Sequence, residues 1–207
     1  MIQIFSQRKP ISISHVLAVK ADKKDIMKIT PVFTLLVLVG SFVLFTSGKD
    51  TPDTIYWSEK EKLEWADFEG EPRHDYKSIS ALTSSGIVHY KGCKDGKINY
   101  KVRAYFEKEE SWVKEEARTD HHLRHEQIHF DITELYARKL RKILADRDFK
   151  CEEEAAFEEC VNNFVENWHY DQQSFDLHSR HSLDKAAQKE WYYKIEMELS
   201  LLNEYKE

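Results

Sequence analysis

His125-Glu126-Gln127-Ile128-His129 is the array in this chain whose residue types and spacing specify a reaction most closely. On a helix, residues i and i+4 share one face, so the two imidazoles point the same way. Two imidazoles one turn apart can grip one zinc ion, and Glu126 beside them can reach a water on that ion. Zinc lowers the pKa of such a water to about 7, which makes it a hydrolytic nucleophile at neutral pH. Glu126 is the expected general base: it takes the water's proton during attack on a carbonyl and passes it to the leaving group. Histidine pairs at this spacing also occur on ordinary helix surfaces. The glutamate between them and the amphipathic helix around them favour the metal.

A catalytic zinc usually has three protein ligands and one open position. The metzincin extension needs Gly at 132 and His at 135, where this chain has Ile132 and Leu135. A glutamate on a following helix is a second pattern, and Glu152, Glu153, Glu154, Glu158 and Glu159 are near enough in sequence, but that run reads as a solvated helix start. His178 and His181, in a polar stretch that can fold back over the first helix, are the better candidates. His121 and His122 rank lower, because one helix does not easily wrap three ligands round a tetrahedral ion. Tyr170, His178 and Arg180 are candidate donors to a developing oxyanion. Asp131 lies roughly 200° round the helix from His129 and is read as structural.

The elements that must position these groups follow from periodicity. Thr83–Tyr90 and Ile98–Tyr105 alternate in part like strands, with Asp95-Gly96 as a hairpin turn between them. Leu63 to Pro72 reads as a compact loop or short strand. A helix capped by Asp120 carries apolar residues at three- and four-residue steps to Leu144, with Arg138, Lys139, Arg141 and Lys142 expected on a solvated face. A second helix is expected over about 154–168 and a third over about 183–205, with a histidine-rich loop, 170–182, between them. The fold class is α+β: a hairpin-bearing sheet followed by three helices, the first carrying HExxH, in the manner of a zincin. Trp65, Trp112, Trp168 and Trp191 are the ordinary core aromatics of such a domain.

Composition sets the surroundings. Val32 to Phe45 is a 14-residue apolar run after Lys28, shorter than the roughly 20 residues of a comfortable membrane span. With Thr46, Ser47 and Gly48 behind it, this is the layout of a secretory signal, with Met27 as the expected true start. Residues 1–48 are therefore read as a leader, 49–60 as a linker and 61–207 as the zinc metallopeptidase domain. The expected location is secreted or periplasmic; the alternative is a membrane anchor through residues 32–45. Of 31 Lys/Arg and 37 Asp/Glu, 25 and 35 fall after residue 48, leaving about −10 for the exported part. That balance argues against a general nucleic-acid binder and leaves a peptide or protein as the expected substrate. Of three cysteines, Cys151 and Cys160 are the expected disulfide. Nine residues of unbroken helix would hold them roughly 13 Å apart, so the pairing needs a turn between them.

The segment His125-Glu126-Gln127-Ile128-His129-Phe130-Asp131-Ile132, followed by Glu134-Leu135-Tyr136-Ala137-Arg138, resembles a bacterial domain-of-unknown-function family described as predicted secreted zinc-dependent proteases. The resemblance takes in Leu63 to Gly70, Ser111-Trp112-Val113, Tyr170-Asp171, and a histidine seven residues before Gln188 with Trp191 after it. It implies zinc and hydrolysis, and its spacing implies His181 as the third ligand. The stretch from Tyr170 to that histidine is several residues longer here than in the family, so His178 stays the alternative. Two other readings compete with the peptidase: a zinc-bearing binding or structural domain of the cell envelope without turnover, and a metal-free interaction module.

Overall fold

The centre of the fold is a 28-residue helix with almost no solvated side over its middle turns. In the computed structural model, which describes residues 53–73 and 79–207, this helix is α1, Asp120–Arg147. From Phe130 to Arg138 every residue is buried. Such a helix needs cover on two sides, and the chain supplies a sheet on one and two helices on the other.

The sheet side is built first. Strands β1 (Thr54–Tyr56), β2 (Ala81–Leu82), β3 (Ser85–Lys94), β4 (Lys97–Glu107) and β5 (Trp112–Val113) precede the helix. They form a three-stranded antiparallel sheet in the order β1-β4-β3 and a separate antiparallel pair, β2-β5. Asp95 and Gly96 join β3 to β4 as the spacing predicts: φ is positive at both (53° and 76°), as a two-residue hairpin requires. Val102, Ala104 and Phe106 alternate inward along β4 and pack with Phe130, Ala137, Leu140 and Leu144 of α1.

The helical side covers the opposite stripe of α1. Helix α2 spans Glu154–Ser179 and α3 spans Lys185–Leu201. Ile128, Ile132, Leu135 and Tyr136 of α1 meet Trp168 and Phe175 of α2 and Trp191, Ile195 and Leu199 of α3. The α+β class, the small antiparallel sheet and the three helices agree with the sequence reading.

Several details differ from it. Residues 54–56 are not linker: they add β1 to the sheet edge, paired Thr54 with Glu107 and Tyr56 with Tyr105. Leu63 to Pro72 holds a single 3-10 turn, Trp65–Asp67. Thr119 rather than Asp120 caps α1, its Oγ1 accepting from His122 N at 3.3 Å. Arg138 is not solvated; it is 2% exposed, because the helices cover that face too. The polar stretch 170–182 is not a loop: α2 runs on through it to Ser179, and only Arg180–Asp184 separates α2 from α3.

The disulfide is Cys93–Cys151, and Cys160 is free. Backbone bonds from Ile98 N to Phe149 O (2.9 Å) and from Cys151 N to Gly96 O (3.1 Å) lay residues 149–151 against the hairpin end. Cys160 rides on α2, whose unbroken path from Glu154 provides no turn to bring it back to Cys151. The leader, the apolar run 32–45, Met27 and residues 49–52 lie outside the described residues. Among the described residues, no helix is long and apolar enough to cross a membrane.

Candidate metal centre

His125 and His129 lie on the first turns of α1, where it meets the C-terminal half of α2. Both are one helical turn apart and both present Nε2 to the same atom, Asp176 Oδ1, at 3.1 Å each. The three ligand atoms lie within 4.8 Å of one another, so this group can hold a metal ion. A tetrahedral cation with ligands about 2.0–2.1 Å away has ligand–ligand edges of roughly 3.3 Å. The two imidazole–carboxylate separations already match that edge.

The surroundings prepare the ligands. Gln172 Nε2 donates to His129 O (2.9 Å) and to Thr133 Oγ1 (3.1 Å), which turns its Oε1 towards His129 Nδ1 at 2.6 Å. Nδ1 must therefore donate, and Nε2 faces Asp176 with its orientation fixed. The His125 ring stacks on Phe175, with centroids 4.5 Å apart. Its Nδ1 is buried without a hydrogen-bond partner.

The electrostatics favour positive charge at this point. Burial pushes the His129 imidazole down, but the Asp176 carboxylate reverses this and raises its pKa to about 9. Burial pushes Asp176 up, yet His129, His125 and His181 together hold it well below the usual carboxylate range. Two protons on the Nε2 atoms, or one cation in their place, satisfy the same carboxylate.

Glu126 lies beside the ligands and is 4% exposed. Thr83 Oγ1, on the short connection between β2 and β3, donates to Glu126 Oε2 at 2.8 Å. That bond anchors one carboxylate oxygen and leaves Oε1 for other work. A cavity of about 70 Å³ opens here, walled by the ligands, Glu126, the 79–83 segment and the α2–α3 connection. Several waters fit in it; a substrate does not, except for the few atoms that react.

The connection over the cavity is unusual. Arg180, His181 and Ser182 all have positive φ (53°, 53° and 70°), a conformation that costs non-glycine residues on the order of 1 kcal/mol apiece. It carries His181 and Ser182 to the cavity wall. His181 Nδ1 is 3.6 Å from Asp176 Oδ1, and its side chain is 43% exposed.

Of the residues singled out in the sequence, the structure thus brings together His125, Glu126 and His129, with His181 at the rim. His178 is exposed and turns to Trp191, ring centroids 5.9 Å apart. Tyr170 is 70% exposed and takes no part in the cavity wall. Both are therefore removed from the site; the helical course of 170–179 points them outward. His121 and His122 are engaged elsewhere, with Ser182 O (2.7 Å) and Thr119 Oγ1 (2.8 Å). Asp131 is structural as expected: it accepts from Trp57 Nε1 (2.7 Å) and Gln127 Nε2 (2.9 Å), and burial raises its pKa. Sequence reasoning missed Asp176, Gln172 and Thr83. Gln172, Phe175, Asp176 and Ser179 stand at helical spacing, which was the available signal for a buried polar face.

Comparison with protein-family models, with curated proteins and with solved structures finds no match for this chain.

Proposed function

We propose that this protein is an exported zinc-dependent peptidase of zincin-like design. The observation that carries the reading is the convergence of His125 Nε2, His129 Nε2 and Asp176 Oδ1 on one point beside a buried, hydrogen-bonded Glu126. The resemblance of the 125–138 segment to predicted secreted zinc-dependent proteases supports it, as does the leader-like 28–48 stretch. Two imidazoles and a carboxylate suit zinc, and three ligands leave a position open. In place, zinc supplies Lewis acidity that activates water and polarises the substrate carbonyl.

The chain's own residues do the rest. Glu126 keeps Oε2 on Thr83 and uses Oε1 to accept the water's proton, then returns it to the leaving amine. Gln172 holds the Nδ1 proton of His129 and so keeps the Nε2 lone pair facing inward. His181, at the cavity rim, donates to the carbonyl oxygen as negative charge develops on it.

Zinc content and turnover on a mixed peptide library test this together. Glu126→Gln is expected to keep one zinc per chain and to lose about 10²–10⁴-fold in hydrolysis; unchanged turnover in that variant refutes the role. One observation favours a second reading, a closed non-catalytic zinc site. His181 Nδ1 is near enough to Asp176 Oδ1 to serve as a fourth ligand after a small shift. His181→Ala separates the two. In the peptidase it lowers kcat and leaves zinc content intact; in the closed site it strips the metal from a protein that never turned over.

A further inference from the structure

The metal cavity is too small to choose a substrate, yet next to it lies a groove of about 530 Å³, within the range of peptide and small-molecule sites. One wall is the start of α1, with His121 and Arg124; the other is α3, with the exposed Lys185, Lys189 and Tyr193 and the buried Gln188. The groove and the cavity share a thin partition. His121 Nε2 donates to Ser182 O at 2.7 Å, with His121 facing the groove and Ser182 facing the cavity.

Its charge runs against that of the domain. Residues 49–207 carry about −10, but the groove wall has three cationic side chains and no carboxylate. Arg124 and Lys185 are exposed and have no acidic partner among the described residues. Lys189 sits over the Tyr193 ring, 5.8 Å from its centroid. Burial, helped by the Glu196 and Asp131 charges, raises the pKa of Tyr192, another lining residue, and Arg124 opposes them.

A second observation points to a ligand. Gln188 is 2% exposed, and its Oε1 has no hydrogen-bond partner. The amide is not free to turn round, because its Nε2 donates to His121 O at 3.1 Å. A buried acceptor without a donor is costly, on the order of 1–3 kcal/mol. A peptide N–H relieves it; a phosphate or carboxylate polymer has no such donor.

We propose that this groove is a substrate subsite for an acidic peptide segment, with Arg124, Lys185 and Lys189 binding Asp or Glu side chains and Gln188 accepting a backbone N–H. As a subsite it rests on the peptidase reading; as a binding surface it does not. The inert Glu126→Gln full chain therefore provides the test, by fluorescence anisotropy at low salt. The probes are a labelled Glu- and Asp-rich decapeptide, its Gln/Asn counterpart and polyphosphate. The acidic peptide is expected to bind at least about 10-fold tighter than the amide peptide, with affinity falling as salt rises. Lys185→Glu with Lys189→Glu, both on exposed positions, is expected to abolish that preference without changing zinc content or Tm. Gln188→Leu is expected to weaken peptide binding and leave polyphosphate binding unchanged. Equal binding of the two peptides overturns the proposal, as does polyphosphate binding tighter than the acidic peptide. If acidic peptides bind and the wild-type chain cleaves none of them, the groove stands and the peptidase reading falls. If cleavage shows no acidic preference, the groove falls and the peptidase reading stands.

Discussion

Glu134 and Asp176 are both carboxylates buried against α1, at 3% and 6% exposure, and each faces nitrogen donors. Glu134 meets Arg138 Nε at 2.9 Å, Arg141 Nη1 at 3.1 Å and Arg141 Nη2 at 3.3 Å. Those guanidiniums are tied down again, Arg138 to Leu199 O and Arg141 to Val102 O and Tyr205 O. Asp176 meets two imidazoles one turn apart and a third at the rim. The difference lies in what the partners can do. A guanidinium stays charged at any pH that proteins experience, so the Glu134 cluster is permanently closed and serves to join α1 to α3 and to the chain's end. An imidazole can give up its proton and offer the lone pair to a metal. One cluster is a fastening; the other is a socket.

The contrast sets the sizes of the effects expected from removing each charge. Glu134→Gln strands two guanidiniums, one of them fully buried, with nothing to neutralise them. The expected loss is about 3–5 kcal/mol of stability, read as a fall in Tm of roughly 10 °C, with zinc affinity unchanged in whatever folds. Asp176→Asn is expected to behave in the opposite way. In chelator above about pH 9, where His129 has already lost its extra proton, its stability falls little, by about 1.5 kcal/mol or less, because the imidazole is then neutral and Asn still accepts. Zinc affinity, followed by titration against a competing chelator, falls by more than the roughly 10–100-fold typical of losing a group that merely supports a ligand. A large Tm loss for Asp176→Asn in chelator at that high pH would make the site structural and erase the distinction.

The same contrast explains what could be read in the sequence. The hairpin and α1 were legible because their buried faces are apolar and periodic, and because Asp95-Gly96 is a strong turn signal. The second half of α2 was not, since the face it buries carries Gln172, Asp176 and Ser179, and polarity there looks like a loop. Arg138 misled in the same way: a basic run reads as solvated surface until α1 is found to be covered on two sides. The His125 and His129 pair was legible as spacing along one element. Asp176 and Thr83 reach the site across 47 and 43 residues of sequence, through packing that no local pattern encodes. Cys93–Cys151, 58 residues apart, was missed for that reason too.

The smallest expected effect tests the socket most finely. Thr83 touches neither the ligand atoms nor the cation position; its hydroxyl acts on Glu126 Oε2 alone among side-chain groups, and more weakly on the Glu126 carbonyl at 3.3 Å. Thr83→Val keeps the shape and removes the donor. If Glu126 is a base whose free oxygen must be aimed, the variant loses about 10-fold in kcat, or roughly 1.4 kcal/mol in the barrier, with KM and zinc content unchanged. Thr83→Ser restores the rate because the hydroxyl returns. A structural hydrogen bond predicts another pattern: Tm falls, KM and kcat drift together, and Ser rescues stability without a matching gain in rate. The kcat–KM split in this pair therefore separates a carboxylate that is held for chemistry from one that, like Glu134, is held for the fold.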